Sequence, residues 1–380
     1  MAFTARAFGL KLATIRTAFG QDRESLALSS GIGSERLALL EDGTAEPTGD
    51  EILILADRFK KNFRYFLADD ADDPDTDVEV LFRTKGDEIP PADRVAISEF
   101  VYLCRCQATL ERDLGRRASH PGFQFRPQNR YFIGDGRNCA AELRRHLGLN
   151  GNEVIRDLFG YMRSMGFKVF RRRLQNSNIS GLFMRHPEAG PCVLVNLAEG
   201  MARQRFSAAH EWGHGLMDDK PMVLSTIGEW NSADLIELRA NTFASDFLMP
   251  PALLKSIANW NDPKVVSDWA ERFRVSVPAL LTALVASKLI DREKREELRS
   301  AAARPKEPPD PEIESVNPTQ LSRRRVLMER GISAEYVRLC FEAFSQSLIS
   351  FGLLCDMLLS SASGVHEIAQ LFGQSIYREN

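Results

Sequence analysis

Apolar residues recur at helical spacing along most of this chain, and a single stretch departs from that rhythm. Leu10, Leu12, Ile15 and Phe19 open a region, residues 8–67, that reads as four or five short helices. Gly31-Ile-Gly33 marks a tight turn there, and Gly43 closes the helix that contains Leu37 and Leu40. Ala92 to Arg117 also reads as helical, with Phe100, Leu103 and Leu110 as core candidates, and further helices are expected over 138–149 and 152–165. The departure comes next, in three β-rich runs at 167–174, 179–185 and 192–196. Their loops, Gln175-Asn-Ser-Asn178 and His186-Pro-Glu-Ala-Gly190, suit hairpins, and His186 is expected to face solvent. Helical spacing then returns around Phe206–Met217 and from Leu235 to Leu248, where Pro250-Pro251 ends the pattern. Helices are also expected over 265–273, 278–289 and 318–376. The fold class is mainly α, of the α+β kind.

Composition narrows this picture. A chain of 380 residues holds two to four domains, and 44% hydrophobic with 27% charged residues is the balance of a globular protein. The formal net charge of −3 gives no overall attraction to nucleic acid, so any such binding needs a local patch. Six cysteines lie scattered without a paired CxxC frame, which predicts reduced thiols. No run reaches the roughly 18 apolar residues of a membrane span, and the N-terminus lacks the apolar core of a secretory signal. The expectation is a cytoplasmic protein with no membrane partner.

The chemistry is concentrated in His210-Glu211-Trp212-Gly213-His214. On a helix, His210 and His214 project from one face and can bind one Zn²⁺, while Glu211 lies close enough to handle a water proton without being a ligand. With six histidines in the chain, this spacing is improbable by chance. Downstream, Glu237 and Asn241 share a helix face. Glu237 is placed to complete a two-His-one-Glu site with an open fourth position. Asn241 is placed to orient a histidine from behind. The competing readings are a buried helix with satisfied histidines, a solvated charge at Glu237 and an ordinary helix-face residue at Asn241.

Two motifs carry a resemblance. R-x-R-F-S-x-A-H-E-x-G-H (Arg203 to His214) and E-x-x-A-N-x-F-A-x-x-x-L-M-P (Glu237 to Pro250) together resemble the ImmA/IrrE-type zinc metallopeptidases. Leu81-Phe-Arg83, Ala140 to Arg144 and Cys192 to Asn196 extend the likeness. The resemblance implies a gluzincin-like core with its HExxH helix beside a small sheet. It further implies Zn²⁺ as cofactor, His210, His214 and Glu237 as metal ligands, Glu211 as the catalytic acid/base, and a repressor-like helix-turn-helix protein as substrate in a stress or mobile-element response.

Residues 1–70 resemble an Xre-type helix-turn-helix domain, in which the second helix of the motif enters the major groove. Here that helix, Ser34 to Leu40, has one cation and one acid, and Arg23 stands where the family usually has glutamine. DNA or another nucleic acid, a docked protein and a homodimer all stay open as partners of this module. The expected organisation is a helix-turn-helix-like domain over 1–70, a peptidase core over 71–250, a helical extension over 251–303, a proline-rich linker over 304–317 and a helical module over 318–380. Asp69–Asp77 is expected as an acidic hinge. The alternative to a regulated endopeptidase is a DNA-binding regulator or antitoxin-like protein with a structural or sensory zinc.

Overall fold

The computed structural model describes residues 3–67, 78, 81–82, 89–120, 122–128, 130–219, 222–226, 235–313 and 317–376. The acidic stretch 69–77 lies outside them. The chain divides into two compact units.

The first unit comprises residues 1–106 with two short stretches, 174–176 and 186–188. Its N-terminal part is built from α1 (Ala5–Ala18), α2 (Arg23–Ser30), α3 (Ser34–Glu41), α4 (Gly49–Phe59) and α5 (Arg64–Leu67). Three of these starts carry a side-chain cap. Thr4 and Asp22 cap α1 and α2, and Thr48 with Glu51 forms a capping box on α4. Phe8, Leu12, Ile15, Leu37, Leu55 and Phe59 are fully buried or nearly so. A charged group of α3 enters this core: the buried Glu41 carboxylate is held by Arg16 at 2.5 Å and Arg23 at 2.7 Å. Burial raises the pKa of Glu41, but the two guanidiniums outweigh it and hold the group ionised.

α6 (Pro91–Asp113) begins in this unit. Its buried Asp93 accepts from the backbone N–H groups of Gln175 and Asn176 at 2.7 and 2.8 Å. His186 is buried as well, and its Nδ1 accepts from the backbone N–H of Glu188 at 3.0 Å. The solvent-facing position expected for it is therefore wrong. The strand Ile179–His186 includes it, so the residue belongs to the strand and not to the turn.

The second unit holds the sheet and most of the remaining helices. α7 (Phe132–His146) and α8 (Leu158–Ser164) precede β1 (Lys168–Arg172), β2 (Ile179–His186) and β3 (Gly190–Asn196). α9 (Met201–Met217) carries the HExxH residues, β4 (Met222–Thr226) follows, and α10 (Leu235–Leu248) carries Glu237 and Asn241. The strand order is β1-β3-β2-β4, with β1 parallel to β3 and β2 antiparallel to β4. β2 and β3 are joined by a short turn as expected, but β1 pairs with β3, so 175–178 is a crossover and not a hairpin loop. β4 was not anticipated. Its five residues, Met-Val-Leu-Ser-Thr, are too few to separate from a helix end by periodicity.

Trp212 is fully buried under α9 against Phe247, with ring centroids 5.1 Å apart, and Phe167 and Phe243 close the same cluster. α10 packs on both α7 and α9. Arg144 of α7 donates to the Phe247 carbonyl at 2.8 Å, and Arg137 pairs with Asp246 at 2.9 Å. Beyond α11 (Pro251–Ser256) come α12 (Pro263–Phe273), α13 (Val277–Ala286) and α14 (Arg292–Ala301). The last helices are α15 (Pro318–Glu329), α16 (Ala334–Ser345), α17 (Phe351–Met357) and α18 (Ala362–Phe372). The proline-rich stretch between α14 and α15 is pinned to the sheet: buried Arg171 of β1 holds Asp310 at 2.8 Å and Glu312 at 2.7 Å. Among the described residues no helix is long and apolar enough to cross a membrane. Five of the six cysteines are buried.

The closeness of α7 and α10 depends on Gly136, where an added Cβ would sit 2.4 Å from the Arg239 carbonyl oxygen. Gly136→Ala should push α10 away and cost about 1–3 kcal/mol in denaturant-measured stability. It should also weaken metal uptake, because Glu237 and Asn241 ride on that helix. A variant as stable as the parent protein would show that α10 is positioned by something else.

Candidate metal centre

The residues singled out in sequence converge on one point of the second unit. His210 and His214 point from successive turns of α9, and Glu237 reaches them from the first turn of α10. The two Nε2 atoms stand 2.9 Å apart, with Glu237 Oε2 3.1 Å from His210 Nε2 and Glu237 Oε1 3.3 Å from His214 Nε2. Both histidines are buried and Glu237 is partly exposed. Among the described residues this is the one His/Cys/Asp/Glu group with metal-ligand spacing.

The imidazole partners set the tautomers. His210 Nδ1 lies 2.8 Å from Asn241 Oδ1, and His214 Nδ1 lies 2.5 Å from Asp218 Oδ2. Both partners accept, so each Nδ1 carries the proton and each Nε2 turns a lone pair inward. Two such nitrogens at 2.9 Å repel unless a positive charge, a proton or a metal ion, is shared between them. Donors around tetrahedral Zn²⁺, each at roughly 2.0–2.1 Å, stand about 3.3 Å from one another. The donor set and its spacing therefore fit a zinc ion.

The electrostatics show that a proton can take the same place. Burial lowers the pKa of His214, but the Asp218 and Glu237 carboxylates outweigh it and raise the group to about 10. Burial raises the pKa of Glu237, and the two histidines more than reverse this, holding it well below the usual carboxylate range. Glu211 behaves differently. It is completely buried, neither carboxylate oxygen makes a well-formed hydrogen bond, and the Ser225 hydroxyl is the one nearby donor that favours its charged form. Burial pushes its pKa up, opposed by His210 and His214. Gly181 of β2 makes room for it: a Cβ there would lie 2.8 Å from Glu211 Oε1. Gly181 pairs with Ser225 of β4, at a register shift between Ile179 and Gly181.

Asp218 and Arg239 were missed in sequence. Asp218 follows α9 directly and Arg239 of α10 holds its other oxygen, so one buried ion pair fixes the His214 ring from behind. The signal was available, since Asp218 lies one helical turn after His214. Arg205 is buried and donates to the carbonyls of Arg274, Arg156 and Ile155, while Arg203 pairs with Glu199 at 2.8 Å. Tyr161 lines a separate cavity of about 1020 Å³ with Arg156, Arg274 and Lys306.

Residues 162–284 match the Peptidase_M78 family model, an IrrE N-terminal-like domain. The matched segment starts in α8, ends in α13 and contains His210, Glu211, His214, Glu237 and Asn241. It supports a metallopeptidase of the ImmA/IrrE kind, a family that is typically metal-dependent. No curated protein matches the chain.

Metal and proton should compete for His214. Its pKa is raised above 6.5, so from about pH 6.5 to 10 the empty site keeps a proton that free imidazole would lose. An entering metal must displace that proton. Apparent zinc affinity, read by chelator competition, should rise about tenfold per pH unit between pH 6.5 and 8.5. A flat profile would mean that the Nε2 atom of His214 is not a ligand.

Proposed function

We propose that this protein is a zinc-dependent endopeptidase, with His210, His214 and Glu237 holding the ion and Glu211 as general acid/base. The observation that carries this reading is the buried Glu211 carboxylate, without a well-formed hydrogen bond, beside the three-donor cluster. Leaving an acceptor of this kind unsatisfied costs folding free energy, about 1–3 kcal/mol or more for a charged group, so its retention points to use in chemistry. When bound, the ion supplies Lewis acidity for a scissile carbonyl. Glu211 takes a proton from the attacking water at its carboxylate and delivers it to the leaving amine, and its raised pKa suits it to both transfers. Asn241 and Asp218 keep the two imidazoles in the tautomer the ion requires. β4, at the end of the sheet and paired beside Gly181, offers an edge along which an extended peptide would add.

Three protein donors among the described residues favour a catalytic over a structural ion, because structural zinc sites are closed by four protein ligands. Following the family resemblance, the substrate is a helix-turn-helix repressor-type protein in the cytoplasm, and the enzyme is regulated through its helical modules. Glu211→Gln should retain zinc and lose hydrolysis by roughly 10²–10⁴-fold, while His214→Ala should lose both. The assay is intact-mass spectrometry of purified helix-turn-helix proteins incubated with the enzyme, with and without chelator. Cleavage that survives Glu211→Gln, or that ignores the chelator, would remove the peptidase assignment.

A further inference from the structure

The outer surface of the first unit carries a repeated pattern. On α2, Glu24 and Leu28 lie one turn apart and both face solvent, and on α3 the same holds for Glu35 and Leu39. On α4, Asp50 precedes Leu53 and Ile54 by three and four residues, and all three are exposed. The apolar members are unusually open: Leu28 is 89% exposed, Leu53 57%, Leu39 48% and Ile54 41%. Positions one turn apart share a helix face, so each helix presents an acid beside an aliphatic side chain. The Arg58 guanidinium of α4 donates to Ser29 Oγ of α2 at 2.9 Å, which brings the Leu28 end of α2 to the Ile54 side of α4.

Most cations of this unit already have partners within it. Residues 3–67 contain nine Lys and Arg. Arg16 and Arg23 are spent on Glu41, Arg36 on Glu51, Lys60 on Asp57 and Arg58 on Ser29. Lys11 and Lys61 lie over the Tyr65 ring. That leaves Arg6 and Arg64. The exposed Glu24, Glu35, Glu46 and Asp50 have no ion-pair partner among the described residues. Glu24, Glu35 and Asp50 occupy the first turns of α2, α3 and α4. A helix start is the end that attracts phosphate, and an acid placed there cancels that attraction. In a helix-turn-helix the start of the second helix approaches the base edges, and here that position is Glu35 next to Ser34.

We propose that this surface is a docking site for a basic, amphipathic helix of a protein partner, and that it does not bind duplex DNA. The leucines supply apolar contact area, and the unpaired acids around them select lysines and arginines flanking an apolar anchor. This goes beyond the peptidase reading and does not depend on it.

The test uses full-length protein and three fluorescent probes: a leucine–lysine helical peptide with both residue types on one face, its lysine-to-glutamate counterpart, and a 20-base-pair duplex. Anisotropy titrations should show the lysine peptide binding and weakening as salt is raised, with neither other probe binding. Leu28→Asp/Leu39→Asp and, separately, Glu24→Lys/Glu35→Lys should each weaken the lysine peptide by about tenfold or more. The second pair should begin to bind the duplex. Unchanged melting temperatures would establish that both variants remain folded. Tighter binding of the duplex than of the lysine peptide by the parent protein would overturn the proposal, as would peptide binding that both variants leave intact. So would light scattering that shows Leu28→Asp/Leu39→Asp converting a dimer to a monomer, because the occupant would then be a second copy.

Discussion

Two imidazole Nε2 atoms facing each other across 2.9 Å, with each ring's Nδ1 proton directed away, form an arrangement that a protein sustains only around a positive charge. Much of the second unit follows from this constraint. The lone pairs of His210 and His214 face inward because Asn241 and Asp218 accept from the other side of each ring. Asp218 can do so because Arg239 secures it. Asn241, Arg239 and Glu237 lie on one helix, so the position of α10 decides both the third donor and the orientation of both histidines. Its contact with α7 through Gly136 and the aromatic cluster around Trp212 fix that position to within a side chain's width.

Glu211 is the second consequence. The sheet presses Gly181 against it, and burial leaves its carboxylate without a well-formed hydrogen bond. A residue placed this way gives nothing to stability that a hydrophobic side chain could not give better. The site therefore combines a rigid donor set, fixed by hydrogen bonds behind each ligand, with one reactive group left unsatisfied. General acid/base hydrolysis needs that division of labour. The first unit handles its buried charge in the opposite way, since Glu41 is fully matched by Arg16 and Arg23.

Much of this was legible in the sequence where spacing carries chemistry. His210, Glu211, His214, Glu237 and Asn241 share helix faces at intervals of three or four, and the structure brings all five together. The five N-terminal helices were legible because their caps and glycine stops are local signals, as Asp22, Thr48 and Gly31 illustrate. What escaped depends on distant partners. β4 is a five-residue strand defined by pairing with β2, and the crossover after β1 follows from parallel pairing with β3, which no local pattern encodes. His186 reads as a loop residue, yet it is buried by the strand that ends on it. Arg171 and Glu312 look like surface charges in sequence but find each other across more than a hundred residues.

The central claim is that one metal ion sits between α9 and α10 with Glu237 as its third protein ligand. A crystal structure of the zinc-loaded protein, with anomalous data at the zinc edge, tests it directly. The account predicts a single strong peak bonded to the Nε2 atoms of His210 and His214 and to a Glu237 oxygen, each at roughly 2.0–2.2 Å. It also predicts that Glu211 lies near that peak but outside bonding distance. A peak elsewhere, or a Glu237 carboxylate more than about 3 Å from the ion, would contradict it.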